Sequence, residues 1–145
     1  MFQFFSGSFK ESVKRIFQLN NSELRMKEKK KIDITDRTFK FGVEIVILAS
    51  KLPKTPAGFR IGSQIVGSGT SIGANTQEAQ SASSKKDFIY KMNIALREAR
   101  ETKYWLMIIV SAKLLPVKVI ERHLNENEEI IKILASIIKN TKSNS

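Results

Sequence analysis

The chain has 145 residues, which is enough for one domain with its own hydrophobic core, and it has no cysteine, which excludes disulfides and thiolate catalysis. It contains no run of about 18 apolar residues, and its first residues do not resemble a signal peptide, so we expect a cytoplasmic protein without a transmembrane helix. The formal net charge of +11 predicts affinity for a polyanion, with nucleic acid as the first candidate, an anionic membrane surface as the second and a merely solvated basic surface as the alternative.

Residues 1–34 form an extension whose pattern differs from that of the rest of the chain. Phenylalanines and other apolar residues recur there at helical spacing with lysine and arginine beside them, which is typical of a short basic amphipathic helix. Such a helix docks on the body of the protein or lies on a membrane, and we favour docking, so membrane binding is not expected. A lysine-rich run over residues 25–31 is typical of a solvated arm or a nucleic-acid contact.

The first strong helical pattern extends from Asp36 to Leu52. Thr35 or Asp36 is expected to cap this helix, and Pro53 ends it. Its core stripe comprises Phe41, Ile45, Leu48 and Leu52. Three further apolar residues widen the face, namely Phe39, Val43 and Val46.

The second helix is predicted from Pro56 to about Gln80, with Thr55 as its cap. Its core stripe comprises Ile61, Ile65, Ser68, Ile72, Asn75 and Ala79. The run from Gly67 to Ala79 lacks the ending and the strand setting of a nucleotide-binding loop, so we interpret its glycines as packing devices that let two helices approach closely. Asn75 is expected to be buried and to tie this helix to a neighbouring element.

The third helix is predicted from Lys85 to Leu114, with Ser84 and Asp87 in a capping arrangement. Its core stripe comprises Phe88, Met92, Ala95, Ala99, Thr102, Leu106 and Ile109. Further apolar residues flank this stripe on both sides, namely Ile89, Leu96 and Met107 on one and Ile94 and Trp105 on the other. A helix that is apolar around so much of its circumference is buried on more than one side, which indicates a subunit interface.

The opposite face of the third helix combines basic and aromatic residues at helical spacing: Lys86, Tyr90, Asn93, Arg97, Arg100 and Tyr104. Such a stripe pairs phosphates and stacks bases, or it is simply a solvated outer face, and the pattern leaves both interpretations open. The candidate nucleic-acid-binding residues are Lys85, Lys86, Tyr90, Arg97, Arg100 and Tyr104.

Pro116 precedes the fourth helix, which is predicted from Val117 to Lys139. Its core stripe comprises Val117, Ile120, Leu124, Ile131, Leu134 and Ile138, and a second stripe of Ile130, Ile133 and Ile137 again indicates an interface. Asn127 interrupts the core stripe and is a candidate for setting register. Four amphipathic helices with short links predict an all-α, antiparallel up-down four-helix bundle over residues 35–140, followed by a frayed tail over 141–145.

No catalytic or metal-binding constellation is apparent in the sequence. Glutamates fall on all four helices (Glu44, Glu78, Glu98 and Glu128), but the chain has one histidine and no Glu-x-x-His pair, so no metal and no cofactor are expected. We interpret His123 as a surface histidine, and we expect Glu78 and Glu98 to pair with basic residues. No serine lies in a recognisable nucleophile motif, so the chain is not expected to be an enzyme.

Several runs resemble one known family. They begin with Gly69-Thr70-Ser71-Ile72-Gly73-Ala74-Asn75 and Glu78-Ala79, continue with Lys86 to Ile89 and Ile94 to Ala99, and end with Tyr104-Trp105-Leu106. This pattern resembles the bacterial four-helix bundle proteins, also called 23S rRNA intervening-sequence or S23 family proteins, over residues 34–139. Many members carry Ile-Ala-Glu-Gly where this chain has Thr76-Gln77-Glu78-Ala79. The motif residues to which we assign a structural role are Gly69, Ser71, Gly73, Asn75, Glu78 and Trp105.

The resemblance implies an up-down bundle that assembles as a ring, typically a homopentamer, and it implies no enzyme activity. Relatives that serve diversity-generating retroelements bind a reverse transcriptase and nucleic acid. The expected function is therefore a non-enzymatic, oligomeric bundle that binds RNA or DNA through a basic surface, as an accessory to a nucleic-acid enzyme or ribonucleoprotein. The alternative is a protein-interaction scaffold without nucleic-acid affinity of its own.

Overall fold

Four helices account for nearly all of the described chain. The computed structural model describes residues 33–144, and the helices are α1 (Ile34–Ser50), α2 (Pro56–Ala79), α3 (Lys85–Ser111) and α4 (Val117–Ser143). Each helix packs on the next, and α4 returns to pack on α1. Because links of about five residues reverse the chain each time, neighbouring helices are antiparallel. The predicted all-α four-helix bundle is confirmed, whereas the predictions for the extension concern residues 1–34, nearly all outside the described part.

Two helix starts follow local sequence signals. Thr55 Oγ1 accepts a hydrogen bond from the Gly58 backbone N–H at 3.1 Å, and Ser84 Oγ accepts one from the Asp87 N–H at 3.0 Å. Both side chains therefore satisfy N–H groups that have no partner within the helix, and each such cap stabilises a helix by about 1 kcal/mol. The predicted caps Thr55 and Ser84 are confirmed, whereas the Asp87 carboxylate accepts from the Ser83 N–H, at 3.4 Å, in place of the Ser84 N–H of a capping box.

Other helix boundaries differ from the predicted ones. Since α1 begins at Ile34, Thr35 and Asp36 both lie in its first turn, and the prediction that one of them caps the helix was wrong. At the other end of the chain, α4 continues past Lys139 to Ser143. Across residues 33–144, no helix has both the length and the apolar composition needed to cross a bilayer.

The end of α3 is shaped by one residue with left-handed backbone. Lys113 has φ 56°, and it is the one non-glycine residue with positive φ among those described. The Leu114 N–H donates to the Ile109 carbonyl and the Lys113 N–H to the Val110 carbonyl, both at 3.0 Å. This is the Schellman pattern, which usually places glycine where Lys113 lies. The helix therefore ends at Ser111 and not at the predicted Leu114.

The core runs along the centre of the bundle, and the predicted stripes supply most of it. The buried apolar residues are Phe41, Ile45, Leu48, Leu52, Ile65, Ile72, Ala79, Met92, Ala95, Leu96, Ala99, Leu106, Ile109, Ile120, Ile130, Leu134 and Ile138. On α4 the phase differs from the prediction, because Val117 is 58% exposed while Ile130, assigned to a second stripe, is fully buried. Leu124 and Ile131 are only half-buried. The buried face of α4 is thus rotated toward Ile130.

Glycines in α2 bring it close to α1. A Cβ atom built at Gly69 would lie 2.7 Å from Cγ2 of Ile45, and one at Gly73 would lie 3.2 Å from the backbone of Thr38. These separations leave no room for a methyl group unless the helices move apart. The interpretation of this run as a packing device is confirmed for these two glycines, whereas a Cβ at Gly67 would meet nothing within 4 Å.

Two buried polar contacts join neighbouring helices inside the core. Thr102 Oγ1 on α3 lies 2.9 Å from Ser68 Oγ on α2, and Asn127 Nδ2 on α4 donates to the Ala99 carbonyl on α3 at 3.1 Å. The Asn127 side chain is fully buried, and its Oδ1 has no hydrogen-bond partner among the described residues. Each contact favours one lengthwise alignment of its helix pair, because a shift would separate buried polar atoms from their partners.

Asn75 does not play the predicted bridging role. It is half-buried, and its Nδ2 donates to the Ser71 carbonyl at 2.8 Å, within its own helix. Asn75 lies at the edge of the buried arc of α2, so water reaches part of its amide. The prediction of a tie from Asn75 to another element was wrong, and Asn127 makes such a tie instead.

Candidate nucleic-acid interface

All candidate residues except Lys85 lie on the outer face of α3, opposite its buried face. At about 100° per residue, positions 86, 90, 97, 100 and 104 fall within an arc of roughly 80°, and Lys85, in the first turn, lies about 100° from Lys86 around the helix. Tyr90 is 62% exposed and Tyr104 is 56% exposed. The four cations are also exposed, and we call them, with the two tyrosines, the basic stripe: Lys85, Lys86, Tyr90, Arg97, Arg100 and Tyr104. From Lys86 to Tyr104 the stripe is about 27 Å long at about 1.5 Å per residue.

The four cations of the basic stripe differ from many others in having no carboxylate partner among the described residues. Elsewhere in the described part of the chain, ion pairs join Arg37 with Glu126, Lys40 with Asp36, Lys91 with Glu78, Lys103 with Glu128, Arg122 with Glu44 and Lys132 with Glu129. An unpaired exposed cation keeps its full attraction for a phosphate, because no local bond has to break first. The four cations of the stripe are therefore available to attract phosphate groups.

Tyr104 belongs to a small aromatic cluster at the carboxyl end of the stripe. Its ring centroid lies 5.1 Å from that of Trp105, and the ring planes are 74° apart, an edge-to-face contact. Trp105 Nε1 donates to Glu101 Oε1 at 3.3 Å. Because Trp105 is half-buried and hydrogen-bonded, it restrains the Tyr104 ring while leaving most of that ring exposed.

Polar residues beside the stripe are engaged within or between helices. Lys91 Nζ on α3 lies 2.9 Å from Glu78 Oε2 on α2, and this hydrogen bond raises the pKa of Lys91 above its usual value. The predicted pairing of Glu78 is thus confirmed. Glu98 forms no ion pair or hydrogen bond with a basic residue among those described, although the charge of Arg97 acts on it, and partial burial raises the pKa of its carboxyl group. Asn93 donates to the Ile89 carbonyl at 3.0 Å.

The family-motif residues lie on helix surfaces that face neighbouring helices or their own backbone. Gly69 and Gly73 face α1, as described above. Ser71 Oγ donates to the Gly67 carbonyl at 2.7 Å. Asn75, Glu78 and Trp105 make the hydrogen bonds already given. Among these residues, Trp105 contacts the basic stripe, through the ring of Tyr104.

His123 is another residue whose environment the sequence did not reveal. It is only 6% exposed, so its assignment as a surface histidine was wrong. Its Nδ1 lies 2.9 Å from the Val119 carbonyl, and burial lowers the pKa of the imidazole below its usual value. The side chain faces the α1 side of α4, since Glu44 and Lys51 are among the charges that act on it. In this turn of α4, His123 faces the core, whereas Leu124, which the predicted stripe placed there, is only half-buried.

A second surface feature, which the sequence did not indicate, is a groove of about 580 Å³ between α1 and α4. Its charged lining residues are acidic and basic in equal number: Arg37, Lys40, Lys118, Arg122, Glu44, Glu121, Glu126 and Glu129. Arg37 on α1 donates two hydrogen bonds to Glu126 on α4, at 2.5 and 3.0 Å, and so bridges the groove. These bonds raise the pKa of the guanidinium. With balanced charge this groove has no preference for an anion. Over residues 33–144, no group of three or more His, Asp or Glu side chains is placed to hold a metal ion.

Comparison with known proteins places the chain in a family. The model of the 23S rRNA-intervening sequence protein family matches residues 30–136. The chain is similar to a solved protein from the S23 ribosomal protein family of Bacteroides thetaiotaomicron, described as a protein with unknown function, at 44% identity and a TM-score of 0.70. The match covers 73% of this chain and 98% of that one. A search of curated proteins gives no match. The chain belongs to the 23S rRNA-intervening sequence protein family.

Proposed function

We propose that this protein is a non-enzymatic, oligomeric bundle that binds RNA or DNA through the basic stripe of α3, as an accessory to a nucleic-acid enzyme or ribonucleoprotein. One observation carries the proposal. Three exposed cations without carboxylate partners, Lys86, Arg97 and Arg100, share one helix face with two exposed tyrosines, and the exposed Lys85 lies beside them in the first turn of α3. The net charge of +11 adds a long-range attraction for a polyanion.

The strength of this attraction has an expected salt dependence. If the four cations each neutralise one phosphate, the slope of log affinity against log salt includes about −2.8 from the stripe for a single strand, or about −3.6 for a duplex. For a single strand this amounts to a loss of roughly 50-fold between about 50 and 200 mM salt. Other basic residues of the chain add to the total slope. The contribution of the stripe is therefore the difference in slope between the unaltered chain and a variant without the stripe cations.

The test is fluorescence anisotropy of a labelled structured RNA with the full-length chain at several salt concentrations. One variant replaces the stripe cations with glutamine: Lys85→Gln, Lys86→Gln, Arg97→Gln and Arg100→Gln. A matched control removes the same charge from exposed lysines elsewhere that also lack carboxylate partners among the described residues: Lys51→Gln, Lys54→Gln, Lys113→Gln and Lys139→Gln. We expect the stripe variant to lose at least about ten-fold in affinity and to show a salt slope shallower by about 3, and the control to lose much less.

Two results contradict the proposal. One is the absence of binding by the unaltered chain at low salt. The other is equal loss of affinity in the stripe variant and the charge-matched control, since the effect would then follow from net charge and not from the stripe.

The second candidate function is a protein-interaction scaffold without its own nucleic-acid affinity. Large apolar side chains are exposed on the first two helices, with Phe39 45%, Val46 46% and Phe59 65% exposed. A pull-down from the native host with and without nuclease separates the two functions. A partner that stays bound after nuclease treatment, combined with no affinity of the purified chain for nucleic acid, favours the scaffold.

Self-association is part of the proposed function. It is supported by apolar side chains left outside the core on α3 and α4, since Met107 is 52% exposed and Ile133 and Ile137 are only half-buried. Static light scattering coupled to size-exclusion chromatography measures the mass in solution. A monomer mass at micromolar concentration contradicts the oligomeric part of the proposal and leaves the nucleic-acid part unaffected.

A further inference from the structure

The two tyrosines of the basic stripe bracket its two arginines. Most of each ring faces solvent, because Tyr90 is 62% exposed and Tyr104 is 56% exposed. At about 1.5 Å per residue, the two positions lie about 21 Å apart along α3, with Arg97 and Arg100 between them. Cations attract any polyanion, whereas an exposed ring adds a flat surface that a base with a free face can cover.

The two rings are not equally prepared for stacking. The edge-to-face contact with Trp105 restrains Tyr104, and Trp105 is itself held by its hydrogen bond to Glu101. Tyr90 has no ring contact among the described residues. A restrained ring loses less conformational freedom when a base covers it, so Tyr104 is expected to contribute more than Tyr90.

We infer that the basic stripe selects single-stranded nucleic acid, with one base stacked on Tyr104, a second on Tyr90 and phosphates between them paired with Arg97 and Arg100. The inference rests on the proposed function, because it specifies the form of nucleic acid that the same surface takes. In a duplex the neighbouring base pairs cover both faces of each base. The cations of the stripe can then pair with phosphates, but no base can stack on the tyrosine rings. A single strand with bases turned out spans at least the roughly 3.4 Å per nucleotide of a stacked strand, so 21 Å corresponds to at most about six steps and a strand of about eight nucleotides reaches both rings.

The experiment compares labelled single strands of about eight nucleotides, as RNA and as DNA, with duplexes of the same sequences. The full-length chain is titrated beside Tyr90→Leu and Tyr104→Leu, in which leucine keeps the helix propensity and removes the ring. Tyr90→Phe and Tyr104→Phe are the matched controls, because they keep the ring and remove only the hydroxyl group. Circular dichroism of each variant verifies that the bundle has formed.

Each leucine variant is expected to lose roughly 5- to 150-fold in affinity for the single strand, with the larger loss for Tyr104→Leu. Affinity for the duplex stays unchanged, and the phenylalanine variants bind as the unaltered chain does. Trp105 is the one tryptophan of the chain, so its emission reports on the neighbouring ring. Its emission changes when the single strand binds, and that change is lost in Tyr104→Leu.

Two outcomes overturn the inference and leave the proposed function standing. One is equal affinity for single strand and duplex. The other is unchanged single-strand affinity in both leucine variants, measured under conditions in which the four-glutamine variant of the stripe loses affinity. If the unaltered chain binds none of the probes at low salt, the inference and the proposed function fail together.

Discussion

Replacing Gly69 with alanine has two opposite effects on the stability of the protein, one through helix propensity and one through packing between helices. The substitution stabilises an isolated helix by about 1 kcal/mol. Here, however, the new Cβ would lie 2.7 Å from Cγ2 and 3.0 Å from Cβ of Ile45, which is fully buried. Because isoleucine is branched at Cβ, these atoms move only with the backbone or with a change of the stiff χ1 angle. Overpacking of this kind costs about 3 kcal/mol, so the net loss of stability is about 2 kcal/mol.

Gly67 provides the matched control, since it lies on the same helix and a Cβ there would meet nothing within 4 Å. Gly67→Ala should therefore stabilise the protein by about 1 kcal/mol, which leaves a difference of about 3 kcal/mol between the two variants. Urea unfolding followed by circular dichroism, at one protein concentration for all variants, measures both values. If Gly69→Ala is as stable as Gly67→Ala, the close approach of α1 and α2 is not what requires glycine. A double-mutant cycle with Ile45→Ala should show a coupling of at least about 1 kcal/mol, because the added methyl group then occupies the vacated space.

Substitutions at three further positions test single features of the fold by urea unfolding. Asn127→Asp places a carboxylate oxygen against the Ala99 carbonyl and should cost about 3 kcal/mol or more at neutral pH, with partial recovery in acid; an equal loss at both pH values would contradict this electrostatic account. Lys113→Gly should stabilise by about 1 kcal/mol by relieving the left-handed backbone, whereas Lys113→Ala should not, and equal gains would refute strain as the cause. Because the pKa of His123 is lowered by folding, the unfolded chain binds the proton more readily, so stability should fall as the pH drops below about 6.5, and His123→Leu should remove that part of the fall.

Local signals in the sequence were sufficient for much of the architecture. Thr55 and Ser84 predict helix starts, because each hydroxyl oxygen accepts a hydrogen bond from the backbone N–H three residues later. The glycines of α2 indicate close packing because a helix that tolerates them gains contact in return. The caps depend on neighbours within one turn, so a linear pattern contains them, whereas the glycines indicate a close contact without showing that α1 makes it.

Features that depend on which residues of a neighbouring helix lie opposite could not be predicted from the sequence pattern. The apolar residues of α4 cover a wide arc, and packing against its neighbours decides that Asn127 and His123 face inward while Leu124 is only half-buried. Likewise, the ion pairs described above, most of them between helices, do not include the four stripe cations, and among residues 33–144 this distinction requires knowing which helices are adjacent. The sequence placed the candidate residues on one face, but it contained no information about which of them were already neutralised.

The groove between α1 and α4 makes one side of the bundle unlike the other three. α1 and α4 share the smallest contact of any adjacent pair, and the ion pairs Arg37 with Glu126 and Arg122 with Glu44 span them. Partly exposed ion pairs weaken as ionic strength rises, whereas the glycine-mediated contact of α1 with α2 does not. Salt therefore weakens the polar part of the contact between α1 and α4 and leaves in place the buried apolar side chains that both helices contribute to the core. Because α1 and α4 share the least contact, we expect local opening of the bundle to begin between them, and hydrogen exchange of the backbone amides would detect it there first.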